Sequence, residues 1–253
     1  MKLELNKIYN MDCLQGMKFI PDKSIDMILC DLPYGTTACK WDEIIPFEPL
    51  WEQYDRVIKD NGAIVLTASQ PFSSALVASN IKAFKHEWIW QKEQGVGFQV
   101  AKYRPMQEHE HVLVFAKKGI RVNYYPIKEM LDKPKKQVRK GNNGDSESSP
   151  LKYADERTSV YKNRYPKSIK KFNRDKGLHP TQKPVALFEY LIKTYTNEGE
   201  TVLDNCIGSG TTAIACMNTK RNYIGFELNK EYFDIAEKRI KNHFVQERIN
   251  EEI

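Results

Sequence analysis

A chain of 253 residues with 41% hydrophobic side chains and a net charge of +6 can bury the core of one large α/β domain, or of one domain carrying a sizeable insertion. Met1-Lys2-Leu3-Glu4 opens no signal-peptide pattern, and no run approaches the apolar length of a bilayer span. The five cysteines (Cys13, Cys30, Cys39, Cys206, Cys216) form no C-x-x-C pair, which argues against a disulfide framework or a thiolate metal site and predicts a cytoplasmic protein away from membranes.

In chain order, Lys7–Asn10 predicts a short strand, followed by a turn at Asp12-Cys13. The largely apolar run Ile25-Asp26-Met27-Ile28-Leu29-Cys30 predicts a strand buried in a parallel sheet. It stops in Asp31-Leu32-Pro33-Tyr34-Gly35: a carboxylate, a rigid turn and a flat ring. Ligands of open α/β sheets sit at the carboxyl ends of strands, so this set suits a planar amine such as a nucleobase.

Leu50, Trp51, Tyr54, Val57 and Ile58 recur at helical spacing and predict a helix over Glu48–Lys59, with Asn61-Gly62 as its C-cap. Ala63–Thr67 predicts a strand and Phe72–Ala83 a helix entered at Pro71. His86–Gln91 and His111–Ala116 predict two further strands. Between them Lys92–His109, with Gly95, Gly97 and Pro105, reads as a loop in which Lys92 and Arg104 are solvated or touch phosphate. His109 and His111 flank Glu110 without a third metal ligand and read as ordinary strand-end residues.

Lys117–Gly177 carries 18 Lys and Arg against 7 Asp and Glu, a local +11 on a body of −5. Tyr124, Tyr125, Tyr153, Tyr161, Tyr165 and Phe172 are interleaved with those cations. A basic, ring-bearing segment fits a polyanion that also has flat faces to stack on. Gly141–Ser146 is its most flexible stretch. Order returns at His179-Pro180-Thr181-Gln182-Lys183-Pro184, where Pro184 suits the first turn of a helix reaching Tyr195.

Glu200–Leu203 predicts a strand ending at Asp204, Asn205–Gly210 a turn, and Thr211–Asn218 a helix. Tyr223–Phe226 predicts the next strand, and Asn229 caps a last helix through about His243. The turn satisfies G-x-G-x-x-A, and Glu227 lies about 20 residues on, at the next strand end. The glycines permit close backbone approach, the helix N-terminus offers N–H groups, and Glu227 can accept from ribose hydroxyls. These residues specify an adenosine cofactor without choosing between a nicotinamide dinucleotide and S-adenosylmethionine.

Together the two strand ends resemble those of amino-methyltransferases acting on DNA. The catalytic motif comes first and the glycine turn last, with a basic insertion between, which is similar to the β group of N6-adenine and N4-cytosine enzymes. The resemblance implies a doubly wound, mostly parallel, seven-stranded α/β sheet with circularly permuted motif order. It divides the chain into a catalytic half (1–116), a basic target-recognition insertion (117–178) and a cofactor-binding half (179–253). Asp31, Leu32, Pro33 and Tyr34 take the catalytic place. For S-adenosylmethionine it implies Asp12, Cys13, Asp31, Thr181, Lys183, Asp204, Cys206, Gly208, Ser209, Gly210, Thr211, Thr212, Glu227, Leu228 and Asn229. For double-stranded DNA it implies Lys135, Lys136, Arg139, Lys140, Arg164, Lys170, Lys171 and Arg174.

Leu32 departs from the family's first proline, and Asn205-Cys206 from its Pro-Phe. The implied reaction is methylation of adenine N6 in DNA through a flipped-out base, with cytosine N4, or an RNA or protein amine, as alternatives. A nicotinamide oxidoreductase is the rival from another class, but Asp-Leu-Pro-Tyr supplies no hydride-transfer partner. The resemblance leaves open a homodimer and a cognate restriction endonuclease.

Overall fold

The computed structural model describes residues 1–35, 42–139, 157–175 and 182–251. Its elements are β1 (Lys7–Asn10), α1 (Cys13–Met17), β2 (Ile25–Asp31), α2 (Phe47–Val57), β3 (Ile58–Ala68), α3 (Phe72–Ser79), β4 (Phe84–Val96), β5 (Gln107–Phe115), β6 (Glu129–Arg139), β7 (Arg157–Arg164), β8 (Ile169–Lys171), α4 (Val185–Tyr195), β9 (Thr201–Asp204), α5 (Thr211–Asn218), β10 (Asn222–Glu227) and α6 (Lys230–Glu251). They divide into two compact units, residues 126–167 and the remainder.

The larger unit holds one sheet in the order β1-β10-β9-β2-β3-β5-β4-β8. Strands β1 through β3 in that order run parallel, and β5 is antiparallel to both of its neighbours. Three-residue β8 adds a parallel eighth strand at the β4 edge, beyond the seven implied by resemblance. Alternation sorts β2 between two cores. Ile28 and Cys30 face Leu50, Trp51, Tyr54, Phe72 and Leu76 of α2 and α3. Met27 and Leu29 face Leu187, Leu191, Ala213 and Ala236 of α4, α5 and α6. Each such aliphatic side chain, fully buried, contributes about 1.5–3 kcal/mol, so β2 is anchored on both faces of the sheet. Asp26, the one carboxylate inside this run, accepts from Lys59 Nζ at 2.6 Å and from Thr201 N at 3.0 Å.

The crossover β2–α2–β3 leaves β2 on one side, and β9–α5–β10 leaves the adjacent β9 on the other. Their helices also pack on opposite faces. The sheet therefore has its topological switch point between β2 and β9, and a crevice opens there at the carboxyl ends.

Several boundaries differ from the sequence expectation. Helix α2 stops at Val57, because Ile58 turns extended (ψ 138°) and pairs with Ile25 of β2. Asn61-Gly62 is thus no helix cap but part of β3. Helix α3 ends at Ser79, since Asn80 leaves helical backbone (φ −149°). The predicted loop 92–109 is strand at both ends, as β4 runs to Val96 and β5 starts at Gln107, and only 97–106 lies between them. The last helix passes His243 to reach Glu251.

The smaller unit is an antiparallel hairpin of β6 and β7, where the sequence suggested loop. Arg164 Nε meets Glu129 Oε2 at 2.8 Å, and Lys128 Nζ lies 5.2 Å over the Tyr165 ring. The flexible stretch 141–146 expected from sequence lies outside the described residues.

Gly62 is dictated by close approach. A Cβ there would stand 2.7 Å from the Asp26 carbonyl oxygen, which belongs to β2. Gly62→Ala should lower unfolding stability by about 1–3 kcal/mol, read from urea midpoints. An unchanged midpoint would show that β2 and β3 can part at no cost.

Candidate active site

The end of β2 gathers its groups around the Asp31 carboxylate. Oδ1 accepts from the Tyr34 hydroxyl at 2.8 Å and from the Thr67 hydroxyl of β3. Oδ2 accepts from Lys183 Nζ at 2.6 Å. The Tyr34 ring stacks on Phe72 of α3, centroids 5.1 Å apart at 23°, and Lys183 Nζ lies 5.5 Å over it. Burial, reinforced by the charge of Asp31, holds the Tyr34 hydroxyl well above its ordinary pKa, so it remains a donor. Leu32, the departure from the family pattern, is buried in the same core as α2 and α3. Its side chain thus replaces a rigid ring with packing.

Behind Asp31 stands a second carboxylate. Lys183 Nζ is 3.4 Å from Glu110 Oε2, and Lys92 Nζ of β4 is 2.7 Å from Glu110 Oε1. Two ammonium and two carboxylate groups therefore share one largely buried space. Burial alone would lower the pKa of Lys183, but Asp31 and Glu110 outweigh it and raise it. Burial would raise Glu110, but Lys183 and Lys92 outweigh it and lower it. Lys183 and Glu110 both stay charged because each has opposite charges beside it.

Sequence reasoning missed Glu110 and Lys92. The signal was strand alternation: Trp88, Trp90 and Lys92 are buried in turn along β4, and Trp90 pairs in register with Glu110. His109 and His111, on either side, therefore point away from the site. Among the described residues no group of His, Cys, Asp and Glu is arranged for a metal.

Across the switch point lies the glycine turn. Gly208 (φ +53°) and Gly210 (φ +84°) use the left-handed backbone that glycine tolerates. Gly210 opens α5, and a Cβ on it would lie 3.3 Å from that of Ala236 on α6. Arg239 of α6 donates to the Ser209 carbonyl at 3.1 Å and to the Thr211 hydroxyl at 3.2 Å. Glu227, ending β10, accepts from Gly208 N at 2.9 Å and Asn229 N at 2.8 Å. Burial raises its pKa despite those bonds. Leu228 is 70% exposed beside it, and Asn229 caps α6 through Glu231 N and Tyr232 N.

Asp12 caps α1 by accepting from Gln15 N at 2.9 Å, and Asn10 of β1 donates to the carbonyls of Glu227 and Leu228. Cys206 packs against the core that holds Cys13 and Cys30, and Asn205 Oδ1 accepts from Tyr54 at 2.6 Å. The two residues that depart from Pro-Phe are thereby tied to α1, α2 and β2. Asp204 accepts from Cys206 N at 3.1 Å and from the Thr212 hydroxyl.

The other candidates are spread. Thr181 and Lys140 lie outside the described residues. Lys183, implied for the cofactor, is held on Asp31. Lys135 and Lys136 are exposed on β6, and Arg164 on β7 is ion-paired. Arg139 ends β6. In the larger unit Lys171 is exposed on β8, Lys170 Nζ lies 5.0 Å over the Tyr190 ring, and Arg174 Nε meets Glu93 Oε1 at 3.0 Å.

A family model for N6 and N4 methyltransferases, described as DNA methylase, matches residues 25–238. The chain belongs to this DNA methylase family. Type II methyltransferase M.HpaI of Haemophilus parainfluenzae is 29% identical over 92% of this chain and 73% of its own. DNA adenine methyltransferase YhdJ of Escherichia coli (strain K12) is 27% identical over 97% of this chain and 87% of its own. The solved M1.HpyAVI-SAM complex superposes with a TM-score of 0.61 at 26% identity, covering 92% of this chain and 98% of that one. The cytosine-N4-specific PvuII DNA methyltransferase superposes with a TM-score of 0.64 at 14% identity, covering 97% and 93%, a likeness of fold alone.

Burial pushes the Asp204 pKa up to about 7. An unfolded aspartate titrates near 4, so between about pH 4 and 7 the folded chain holds the extra proton. Asp204 therefore makes stability fall as pH rises through that window. Asp204→Asn should remove this part of the slope, gaining stability over wild type at pH 8 compared with pH 5. Urea midpoints that differ equally at both pH values would refute the assignment.

Proposed function

We propose that this chain transfers the methyl group of S-adenosylmethionine to the N6 amine of adenine in double-stranded DNA, on a base turned out of the duplex. The observation that carries the reading is the pairing, across one switch point, of Asp31-Leu32-Pro33-Tyr34 with the turn Gly208–Gly210 and Glu227. Family membership and the adenine-specific relative support DNA and adenine over the alternatives.

The residues fit an adenosyl cofactor. Each Glu227 oxygen receives one backbone N–H and keeps a lone pair for a ribose hydroxyl. Exposed Leu228 offers apolar surface to an adenine ring, and Gly208, Ser209 and Gly210 bring backbone close. Asp12 and Cys13 stand at the end of neighbouring β1. S-adenosylmethionine, when bound, supplies an electrophilic methyl group and leaves as a thioether.

The protein's task is then positioning and electrostatics. The lone pair of an exocyclic amine is delocalised into the base. Asp31 Oδ2 can accept one amine hydrogen and a carbonyl of Leu32 or Pro33 the other, which localises the lone pair on nitrogen. The hydroxyls of Tyr34 and Thr67 fix Oδ1, so Oδ2 is the edge turned to the amine. The Tyr34 ring, backed by Phe72, gives the extruded base a surface to stack on. The exposed hairpin lysines Lys135 and Lys136 would offer cations to phosphate. The type II relatives support a companion restriction endonuclease.

Tritiated methyl groups should enter duplex DNA and be recovered as N6-methyladenine; label confined to RNA or protein would overturn the reading. Asp31→Ala should cut that transfer by at least ~100-fold with cofactor binding retained. Transfer at the wild-type rate would remove Asp31 from the mechanism.

A further inference from the structure

The Lys183 ammonium stands where a target amine has to go. It donates to Asp31 Oδ2 at 2.6 Å and lies 5.5 Å over the Tyr34 ring. Oδ1 is already filled by two hydroxyls, so an incoming amine reaches Asp31 only through Oδ2. The ammonium makes the stronger, charge-assisted bond and yields only if another anion receives it. That anion is present. Glu110 Oε2 is buried, lies 3.4 Å from Nζ and has no hydrogen-bond partner among the described residues. Its other oxygen is anchored by Lys92 at 2.7 Å. A shift of roughly half an ångström would give Nζ a full bond to Oε2.

We propose that Glu110 is a positioning residue for methyl transfer: its Oε2, which accepts no hydrogen bond among the described residues, receives the Lys183 ammonium when the target amine takes that ammonium's place on Asp31. The inference rests on the amine-methyltransferase reading above and deepens it. The exchange keeps Lys183 paired throughout, which matters because a buried ammonium without an anion is strongly disfavoured. It also turns the negative charge of Asp31 from the lysine toward the amine at the moment the amine arrives. Glu110 thus acts through Lys183 and touches no substrate.

The test uses the full chain, tritiated S-adenosylmethionine and PCR-amplified bacterial genomic DNA, which carries no modification. Because the exchange follows DNA binding, Glu110→Gln should lower kcat by about tenfold or more while KM for DNA and the cofactor Kd stay within about twofold. Glu110→Asp, which keeps the anion on a shorter arm, should recover part of the loss. In a Lys183→Met background Glu110→Gln should cost less than about twofold further. The proposal is overturned by a Glu110→Gln kcat within twofold of wild type, by Glu110→Asp doing no better than Glu110→Gln, or by an undiminished loss in the Lys183→Met background. Label entering RNA instead of duplex DNA would overturn the DNA reading alone, and the same variants would then decide the exchange on RNA.

Discussion

Strands β2 and β9 are neighbours whose crossovers depart in opposite directions, and that one constraint of topology places the chemistry. No helix can close over a point where the chain leaves to both sides, so the carboxyl ends of these strands line a crevice. One wall receives Asp31 and the other Asp204 with the glycine turn. The fully buried alternation of β2 fixes the first wall. The tie from Tyr54 to Asn205, and the packing of Cys206 against the core that holds Cys13 and Cys30, bind the second wall to the helix layer of the first. Residues that look like defects in a family motif act here as cross-links.

Charge is handled differently on the two walls. Around Asp31 two lysines and two carboxylates pair with one another, which offsets the cost of gathering charge in a largely buried space. Asp204 has hydroxyl and N–H partners but no salt bridge among the described residues, and burial raises its pKa instead. The wall assigned to the amine is therefore built around paired charges, whereas the wall assigned to the cofactor is built mainly of backbone and neutral groups.

Much of this was legible in the sequence. The strand run ending at Asp31, the glycine turn with Glu227, and the cap at Asn229 are local signals, and local signals survive folding. What was missed depended on contacts distant in sequence. Ile58 has helical spacing but pairs with Ile25 of β2, which ends α2 early and turns Asn61-Gly62 into strand. Lys92 was assigned to a glycine-bearing loop, and Glu110 was overshadowed by two histidines. Only the register of β4 on β5, and the arrival of Lys183 from far along the chain, give these two charges a purpose. The basic segment was legible as charge and rings but not as a hairpin, because its composition resembles a solvated loop.

Arg239 and Ala236 reach from α6 onto the glycine turn. A chain grows from its N-terminus, and the turn leaves the ribosome before the helix that braces it. Until α6 docks, Ser209 and Thr211 lack their guanidinium partner. The glycine turn is thus among the last parts of the molecule to be braced, although β2 and β3 of the opposite wall are formed from much earlier sequence. On the proposed reading, the wall that meets the amine is synthesised first, and the wall that would hold the methyl donor gains its last brace only when α6 docks.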